Sequence, residues 1–201
     1  MKRSGGEHEK GGKEAFRKWF SYIGERRSLS VLNLKEKTLE IRTSPDKPNI
    51  MLVVHKIPTS LQMAMAWLVD ALSDSNCPRT ILYCHSIKDA SNIYSYLKTE
   101  LPECDMLDIF HCETPEEKKT NIIKELQTVD SQLKMVIATS ALGMGIDVAD
   151  THSVIVYIVP KHLTDIIQEI GRVGRDGRSS VAMLLYNSYH LNKVDPDVKE
   201  M

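Results

Sequence analysis

The chain has 201 residues, of which 42% are hydrophobic and 26% charged, and its formal net charge at pH 7 is -1. This length supports one full globular core, and this composition excludes a largely disordered protein. No apolar run approaches the ~20 residues of a transmembrane helix, and the charged sequence after Met1 is unlike a signal peptide. We therefore expect a protein that is neither membrane-bound nor secreted.

Charge is divided unevenly along the chain. Residues 1–47 carry 12 Lys and Arg against 7 Asp and Glu, whereas residues 48–201 carry 14 against 20. The start of the chain is rich in glycine and without periodicity, although the aromatic and apolar residues of 15–23 predict one short amphipathic helix. We therefore expect residues 1–45 to form an irregular, partly mobile N-terminal extension.

Beyond that extension, short apolar runs alternate with segments of helical periodicity. The predicted strands are 50–54, 80–83, 106–110, 135–138, 154–158 and 181–186, and the predicted helices are 60–72, 90–101, 115–126 and 163–170. This alternation is typical of an α/β domain, a mostly parallel sheet with helices on both faces. We place that domain at 46–190 and a tail at 191–201. Ligands are expected at the carboxyl ends of the strands.

The four cysteines show neither a CxxC pair nor the Cys/His spacing of a structural zinc site; they are Cys77, Cys84, Cys104 and Cys112. Disulfides accumulate in oxidising compartments, so reduced thiols are the simpler interpretation. We expect no metal bound by this chain. We also expect a nuclear location if the organism is eukaryotic, and a cytoplasmic one otherwise.

The segment from Gln168 to Gly177 holds two arginines among three glycines. Arg172 and Arg175 are three residues apart, and at a helix end such residues lie side by side. Two neighbouring guanidinium groups match the oxygens of a polyphosphate and stabilise charge that develops in phosphoryl transfer. The simpler alternative is a solvated basic turn that includes Arg178.

A second segment follows the strand predicted at 135–138. Thr139 and Ser140 supply hydroxyls that can contact phosphate, and Asp147 can accept a hydrogen bond from a ribose hydroxyl. Gly145, with the glycine two positions before it, also matches part of a dinucleotide-binding fingerprint. Only two of the three glycines are present, so a Rossmann-type oxidoreductase is a distant alternative.

Together these two segments resemble motifs V and VI of superfamily-two helicases, and residues 46–186 resemble the second RecA-like motor domain of the RecQ family of DNA helicases. Other motifs carry the same resemblance, namely Asp46-Lys-Pro-Asn49, Tyr83-Cys-His-Ser86, His111 and a Gln168 that opens motif VI. DEAD-box RNA helicases resemble one another in beginning motif VI with His-Arg, whereas this chain has Gln168 there, which favours DNA. RNA is the second candidate substrate.

The resemblance implies a fold, an activity and a set of ligands. The fold is RecA-like, and the activity is ATP-dependent unwinding of DNA in the 3′ to 5′ direction, with ATP and Mg²⁺ held between two motor domains. Arg175 would be the arginine finger, Arg172 would support the triphosphate and Gln168 would orient motif VI. Gly145 and Asp147 would border the nucleotide. Single-stranded and duplex DNA are the expected partners, in DNA repair or recombination.

Four residues are implied as contacts to the DNA backbone, and they are Ser86, His111, Thr139 and Ser140. Two departures from the family pattern lie beside them: Ser86 is followed by Ile-Lys in place of arginine, and His111 by Cys-Glu in place of Ala-Gly. Purely structural roles are the alternatives, because a serine in this position can cap the following helix and a lone histidine is commonly a structural residue.

Two motifs of a complete helicase ATPase are not in this sequence. It contains neither a Gly-x-x-x-x-Gly-Lys-Ser/Thr phosphate loop nor an Asp-Glu-x-His string. The resemblance assigns both, with the Mg²⁺ ligands, to the first RecA-like domain. We therefore expect a partial chain that is inactive without that domain. A non-catalytic module that binds DNA or a partner protein is the alternative from another class.

Overall fold

The structure is a computed structural model that describes residues 47–74, 77–143, 148, 151–160 and 162–199. Several sequence-based expectations fall outside these residues: the N-terminal extension, the helix at 15–23, and the roles of Gly145 and Asp147. The other predicted site residues lie in the described part of the chain, at the ends of strands, within one helix or in the segment that follows it.

Six strands form one sheet in which every pairing is parallel. They are β1 Ile50–Lys56, β2 Thr80–Cys84, β3 Leu107–Phe110, β4 Met135–Ala138, β5 Ser153–Tyr157 and β6 Ser180–Tyr186. All six are predicted by the sequence to within two residues at each end. β1 is the longest extension, because it pairs with β6 as far as Lys56 and Tyr186. β5 ends at Tyr157, and the next residue, Ile158, has a φ of 63° outside the β region.

The four predicted helices are present, and they are α1 Leu61–Ser73, α2 Ile87–Glu100, α3 Glu116–Gln127 and α4 Leu163–Ile170. α2 begins three residues before its predicted start because Ser86 caps it. The Ser86 hydroxyl accepts a hydrogen bond from the amide of Asp89 at 3.1 Å. Three short helices are not predicted by periodicity: a 3-10 helix Ser140–Gly143, α5 Ser188–Leu191 and α6 Pro196–Lys199.

The strand order β1-β6-β5-β2-β4-β3 fixes where a ligand can bind. β2 lies between β5 and β4, and its connection through α2 runs toward β3 at one edge. The connections that follow β4 and β5 run the other way, toward β6. Neighbouring connections therefore diverge above the carboxyl end of β2. Such a divergence opens a crevice at which ligands bind in open α/β sheets.

Two layers of helices bury the two faces of the sheet. Successive strand residues point to opposite faces, so Ile81 packs with α3 and α4 while Leu82 packs with α1 and α2. The same alternation separates Val136 from Ile137. The apolar face of each helix thus meets a continuous apolar strip, and this arrangement confirms the predicted mostly parallel α/β fold.

The segment predicted as a tail contributes to one of these layers. Val194 is 7% exposed and Val198, in α6, is 4% exposed, and both belong to the core cluster that contains α3 and α4. The division of the chain at 45 and 190 stays a prediction. Within the part of the chain that the structure describes, each helix is too short or too polar to cross a bilayer.

Candidate functional site

A cleft of about 260 Å³ opens at the carboxyl ends of the central strands. β2 contributes its last residues, the segment after β5 contributes Pro160, and α4 supplies one wall. Its lining residues are Tyr83, Cys84, His85, Ser140, Pro160, Asp165, Gln168, Glu169 and Arg172. The cleft therefore lies where the topology predicts a ligand, and it unites residues of three sequence motifs.

The arginine pair lies beyond α4 and not within its last turn. α4 ends at Ile170, Gly171 is its C-cap, and the chain then makes two further turns. Gly174 and Gly177 have φ values of 63° and 80°, which favour glycine, and the Gly177 amide donates to the Gly174 carbonyl at 3.2 Å. Arg172 is half-buried and lines the cleft, whereas Arg175 is exposed at the corner of the second turn. We call residues 171–178 the arginine turn.

The cleft also contains buried polar groups that the sequence does not single out. The Tyr83 side chain is 1% exposed, and neither its hydroxyl nor Oε2 of Glu169 has a hydrogen-bond partner among the described residues. Burial and the nearby charge of Asp165 raise the pKa of Glu169 to about 8, although Arg172 opposes the shift. Glu169 is thus largely protonated at neutral pH and can donate a hydrogen bond.

Burial also raises the pKa of Tyr83, which keeps the phenol neutral. Both residues stand inside motifs already quoted, since Tyr83 opens the Tyr-Cys-His-Ser string and Glu169 follows Gln168. Sequence reasoning did not select these two residues because the sequence does not show that their polar groups are buried. That burial follows from packing between β2 and α4, which no local pattern in the sequence reports.

The residues predicted to contact DNA occupy several strand ends. Ser140 is exposed and lines the cleft beside Gln168, while Thr139 is 8% exposed and its amide donates to the Phe110 carbonyl at 3.1 Å. Ser86 is the N-cap of α2, and its side chain accepts a hydrogen bond from the Asp89 amide. His111 is half-buried, and its Nδ1 accepts from the Glu113 amide at 3.2 Å.

The cleft therefore gathers part of the predicted set. Gln168, Arg172 and Ser140 line it together, and Arg175 lies in the turn that follows. Ser86, His111 and Thr139 are not among its lining residues. A cationic group beside a protonated carboxyl, a phenol and an amide can bind the oxygens of a phosphorylated ligand.

Comparison with known proteins places this architecture in a family. The family described as the helicase conserved C-terminal domain matches residues 63–177. Helicase R290 of Acanthamoeba polyphaga mimivirus, named as an ATP-dependent RNA helicase, is 34% identical over 157 residues, which is 78% of this chain and 27% of R290. RecS of Bacillus subtilis, named as an ATP-dependent DNA helicase, is 31% identical over 159 residues, which is 77% of this chain and 30% of RecS.

The chain thus spans less than a third of the length of either relative. Among solved structures, domain 2 of the DEAD-box helicase Mss116p bound to an RNA duplex matches with a TM-score of 0.60 and 22% identity. That match covers 76% of this chain and 60% of the other. It confirms the RecA-like fold. The chain therefore belongs to the helicase conserved C-terminal domain family, and RecQ-type DNA helicases are among its relatives.

Proposed function

We propose that this chain supplies the second motor domain of an ATP-dependent DNA helicase of RecQ type that moves 3′ to 5′. One observation carries the proposal: the helix that opens motif VI forms a wall of the cleft, and the arginine turn follows it directly. Gln168 and Arg172 thus line the ligand-binding edge of the sheet. A nuclear or cytoplasmic location and a role in DNA repair or recombination belong to the same proposal.

ATP with Mg²⁺ fits the residues that are present, provided that another domain supplies the metal ligands. The half-buried Arg172 and the exposed Arg175 supply guanidinium groups whose planar fork suits phosphate oxygens, and the Gln168 amide adds a neutral donor. When bound, ATP supplies a transferable γ-phosphoryl group. In this proposal Arg175 contacts that group, Arg172 holds the triphosphate, and Gly145 and Asp147 border the nucleotide.

The DNA strand would follow the loops at the carboxyl ends of β2, β3 and β4. Ser140 is exposed there, and His111 can donate from Nε2 because its Nδ1 already accepts a backbone hydrogen bond. The Ser86 hydroxyl donates to the Asp89 carboxylate at 2.7 Å and caps α2, so a phosphate would have to share it. Thr139 is the fourth proposed contact to the DNA backbone. Contacts of this kind hold the backbone without reading sequence.

The experiment joins residues 1–201 to a complete first RecA-like domain of a RecQ-type relative. Hydrolysis of ATP is measured with single-stranded DNA and with RNA of the same sequence, and unwinding is measured on duplexes with a 3′ or a 5′ tail. We expect stimulation by DNA and unwinding of the 3′-tailed duplex. Equal or greater stimulation by RNA would contradict the DNA assignment, and unwinding only from a 5′ tail would contradict the polarity.

RNA is the second candidate, because R290 is named as an RNA helicase and RecS as a DNA helicase. The same pair of substrates decides between them. A non-catalytic module is the candidate from another class, and it is favoured by the lack of a phosphate loop in these 201 residues. That candidate predicts nucleic-acid or partner binding without a gain in hydrolysis when the first domain is supplied.

A further inference from the structure

The segment immediately before β1 holds the arginine turn from a distance of more than 120 residues. The Lys47 ammonium donates to the Gly171 carbonyl at 3.0 Å. The Asn49 side-chain amide donates to two carbonyls, that of Gly174 at 2.9 Å and that of Arg178 at 2.9 Å. The backbone carbonyl of Asn49 also accepts from the Ser180 amide at 2.8 Å.

The two side-chain bonds of Asn49 bracket the corner that carries Arg175. The Gly174 carbonyl also accepts from the Gly177 amide and so closes the turn, and the Arg178 carbonyl lies at its exit. One planar amide thus uses both of its N–H donors to fix the entry and the exit of the same turn. Both partners are carbonyl oxygens, so the opposite orientation of the amide would set oxygen against oxygen.

Crowding at Gly174 confirms how closely Asn49 approaches. A Cβ atom at Gly174 would lie 2.5 Å from Nδ2 of Asn49, 3.1 Å from the Ser180 hydroxyl and 3.3 Å from Cγ1 of Ile50. At Gly177, by contrast, a Cβ would meet no atom within 4 Å, and only the φ of 80° favours glycine there. Gly174 therefore serves a close contact as well as a backbone conformation.

Without such bonds the turn would be free to vary. It contains three glycines, which give a chain the most backbone freedom, and its backbone carries the exposed Arg175. A cation that must meet developing charge is effective only when it is held in place beforehand. Holding the turn by its carbonyls accomplishes this from outside the turn.

Lys47 brings a further cation to the same surface. Burial first, and the nearby charge of Arg175 second, lower the pKa of Lys47. The Lys47 ammonium therefore interacts electrostatically with the Arg175 guanidinium while it donates to the Gly171 carbonyl. The side chains of Lys47 and Asn49 thus tie the start, the middle and the end of the arginine turn to β1.

We propose that Asn49 is a positioning residue: its amide holds residues 174–178 in the conformation that presents Arg175 to a polyphosphate, and Lys47 supports it at Gly171. The inference rests on the proposed function for the role of Arg175. The hold on the turn itself rests only on the hydrogen bonds of Asn49 and Lys47.

The test uses the 201-residue chain in two measurements. Hydrogen exchange of the Gly177 and Arg178 amides reports the turn, and titration with inorganic tripolyphosphate reports the anion site. Asn49→Ala should speed exchange of these amides about 10-fold, as expected for two lost hydrogen bonds, and should weaken tripolyphosphate binding several-fold. The ratio of hydrogen-exchange rates between amides of β2 and amides of β4 should be the same in Asn49→Ala as in the wild type.

Two variants separate the donor role from packing. Asn49→Asp keeps the volume but cannot donate, so it should loosen the turn at least as much as Asn49→Ala. Asn92→Ala, at an exposed position on α2, is the matched control and should leave the turn unchanged. If Asn49→Ala does not fold, Asn49→Ser keeps one donor and should give an intermediate exchange rate.

Two outcomes would overturn the inference: exchange in Asn49→Ala equal to that in Asn92→Ala, or an Asn49→Asp variant that behaves as the wild type. A different outcome would contradict the proposed function instead. If the turn loosens in Asn49→Ala but the wild-type chain does not bind tripolyphosphate, the hold on the turn stands and the role of Arg175 falls.

Discussion

The arginine turn and the loops at the ends of β2 and β3 hold their polar groups in opposite ways. Lys47 and Asn49 hold the turn through its backbone carbonyls. In the loops the candidate side chains themselves do the fixing, since Ser86 caps α2 and His111 accepts from a neighbouring amide. The two regions therefore differ in the atoms that are held: backbone carbonyls in the turn, and the candidate contact side chains themselves in the loops.

The largest effect should come from completing the site around the turn. Residues 1–201 alone should hydrolyse ATP no faster than background, because an arginine finger acts only together with a phosphate loop and Mg²⁺. Fusion to a complete first RecA-like domain should produce DNA-stimulated hydrolysis. The measurement is steady-state phosphate release by both proteins. Turnover by the isolated chain that persists through further purification would contradict this expectation.

Within the fused protein, the turn should matter far more than the loops. Arg175→Ala should reduce kcat on the order of 10³-fold with a smaller change in KM, because the finger acts on charge that develops in the transition state. Arg172→Ala should also weaken the response to DNA. Arg175→Lys should not restore activity, since an ammonium lacks the planar fork.

The matched comparison for Arg175 is Ser86→Ala, which should change kcat far less, because the Ser86 hydroxyl is already engaged with Asp89 at the start of α2. Steady-state kinetics of the two variants side by side decide the point. Near-normal hydrolysis by Arg175→Ala would restore the interpretation of 171–178 as a solvated basic turn.

Binding of single-stranded DNA tests the loops directly. The chain has a net charge of -1 and only a few candidate phosphate contacts, so it should bind weakly. Neutralisation of three phosphates of a single strand would reduce the affinity about 20-fold between 50 and 200 mM salt. Fluorescence anisotropy with labelled oligonucleotides measures this, and a mixed-sequence oligomer should bind as well as any homopolymer. Nanomolar affinity at physiological salt would contradict weak, shared contacts.

The cleft differs from the arginine turn and from the loops because it holds an acidic side chain, Glu169, whose pKa is strongly raised. The pKa of Glu169 is near 4.5 in the unfolded chain and about 8 in the folded chain. At a pH between these two values, the folded chain keeps a proton on Glu169 that the unfolded chain has lost. Its stability should therefore fall as pH rises through that window and level off above about 8. Glu169→Gln removes this cost and should stabilise the fold on the order of 1 to 3 kcal/mol at pH 8.

The stabilisation by Glu169→Gln should vanish well below pH 4.5, where Glu169 is protonated in both the folded and the unfolded state. Urea unfolding at a series of pH values measures it, and the control is Glu103→Gln at an exposed position. A pH-independent difference between wild type and Glu169→Gln would show that the carboxyl is ionised in the fold.

The smallest effect concerns the Ser86 cap. Ser86→Ala removes the side-chain bond to the Asp89 amide and should cost about 1 kcal/mol of stability. Exchange at Gly177 should not change, because the turn is held from β1 and not from α2. Ser86→Thr, which keeps the hydroxyl, should recover most of the loss in thermal unfolding. A loosened turn in Ser86→Ala would show that the two regions are coupled.

The sequence predicts the sheet well because apolar runs and helical periodicity are local. α4 begins and ends at its predicted residues, and every strand is present. The arginine motif is likewise visible as a string. Its geometry is not, because the chain leaves the helix at Gly171 and turns twice at positive φ, so Arg172 and Arg175 do not share a helical face.

What escaped prediction depends on contacts between distant segments. The pairing of β1 with β6, the bonds from Asn49 and the burial of Val194 and Val198 all arise from packing across the chain. The raised pKa of Glu169 comes first from its burial in the folded chain and second from the charge of Asp165. No periodicity within 10 or 20 residues carries such information, because it is created only when the layers meet.

The position of β1 at the edge of the sheet has a consequence for how this protein is made. β1 pairs along its length with β6, and Asn49 reaches a carbonyl 125 residues later in the chain. During translation the first strand must therefore wait about 10 s for its only partner in the described sheet to be synthesised. Contacts of such long separation form late and slowly. The nascent chain exposes an unpaired β-strand throughout that interval, so we expect ribosome-bound intermediates to recruit chaperones until Ser180–Tyr186 has emerged.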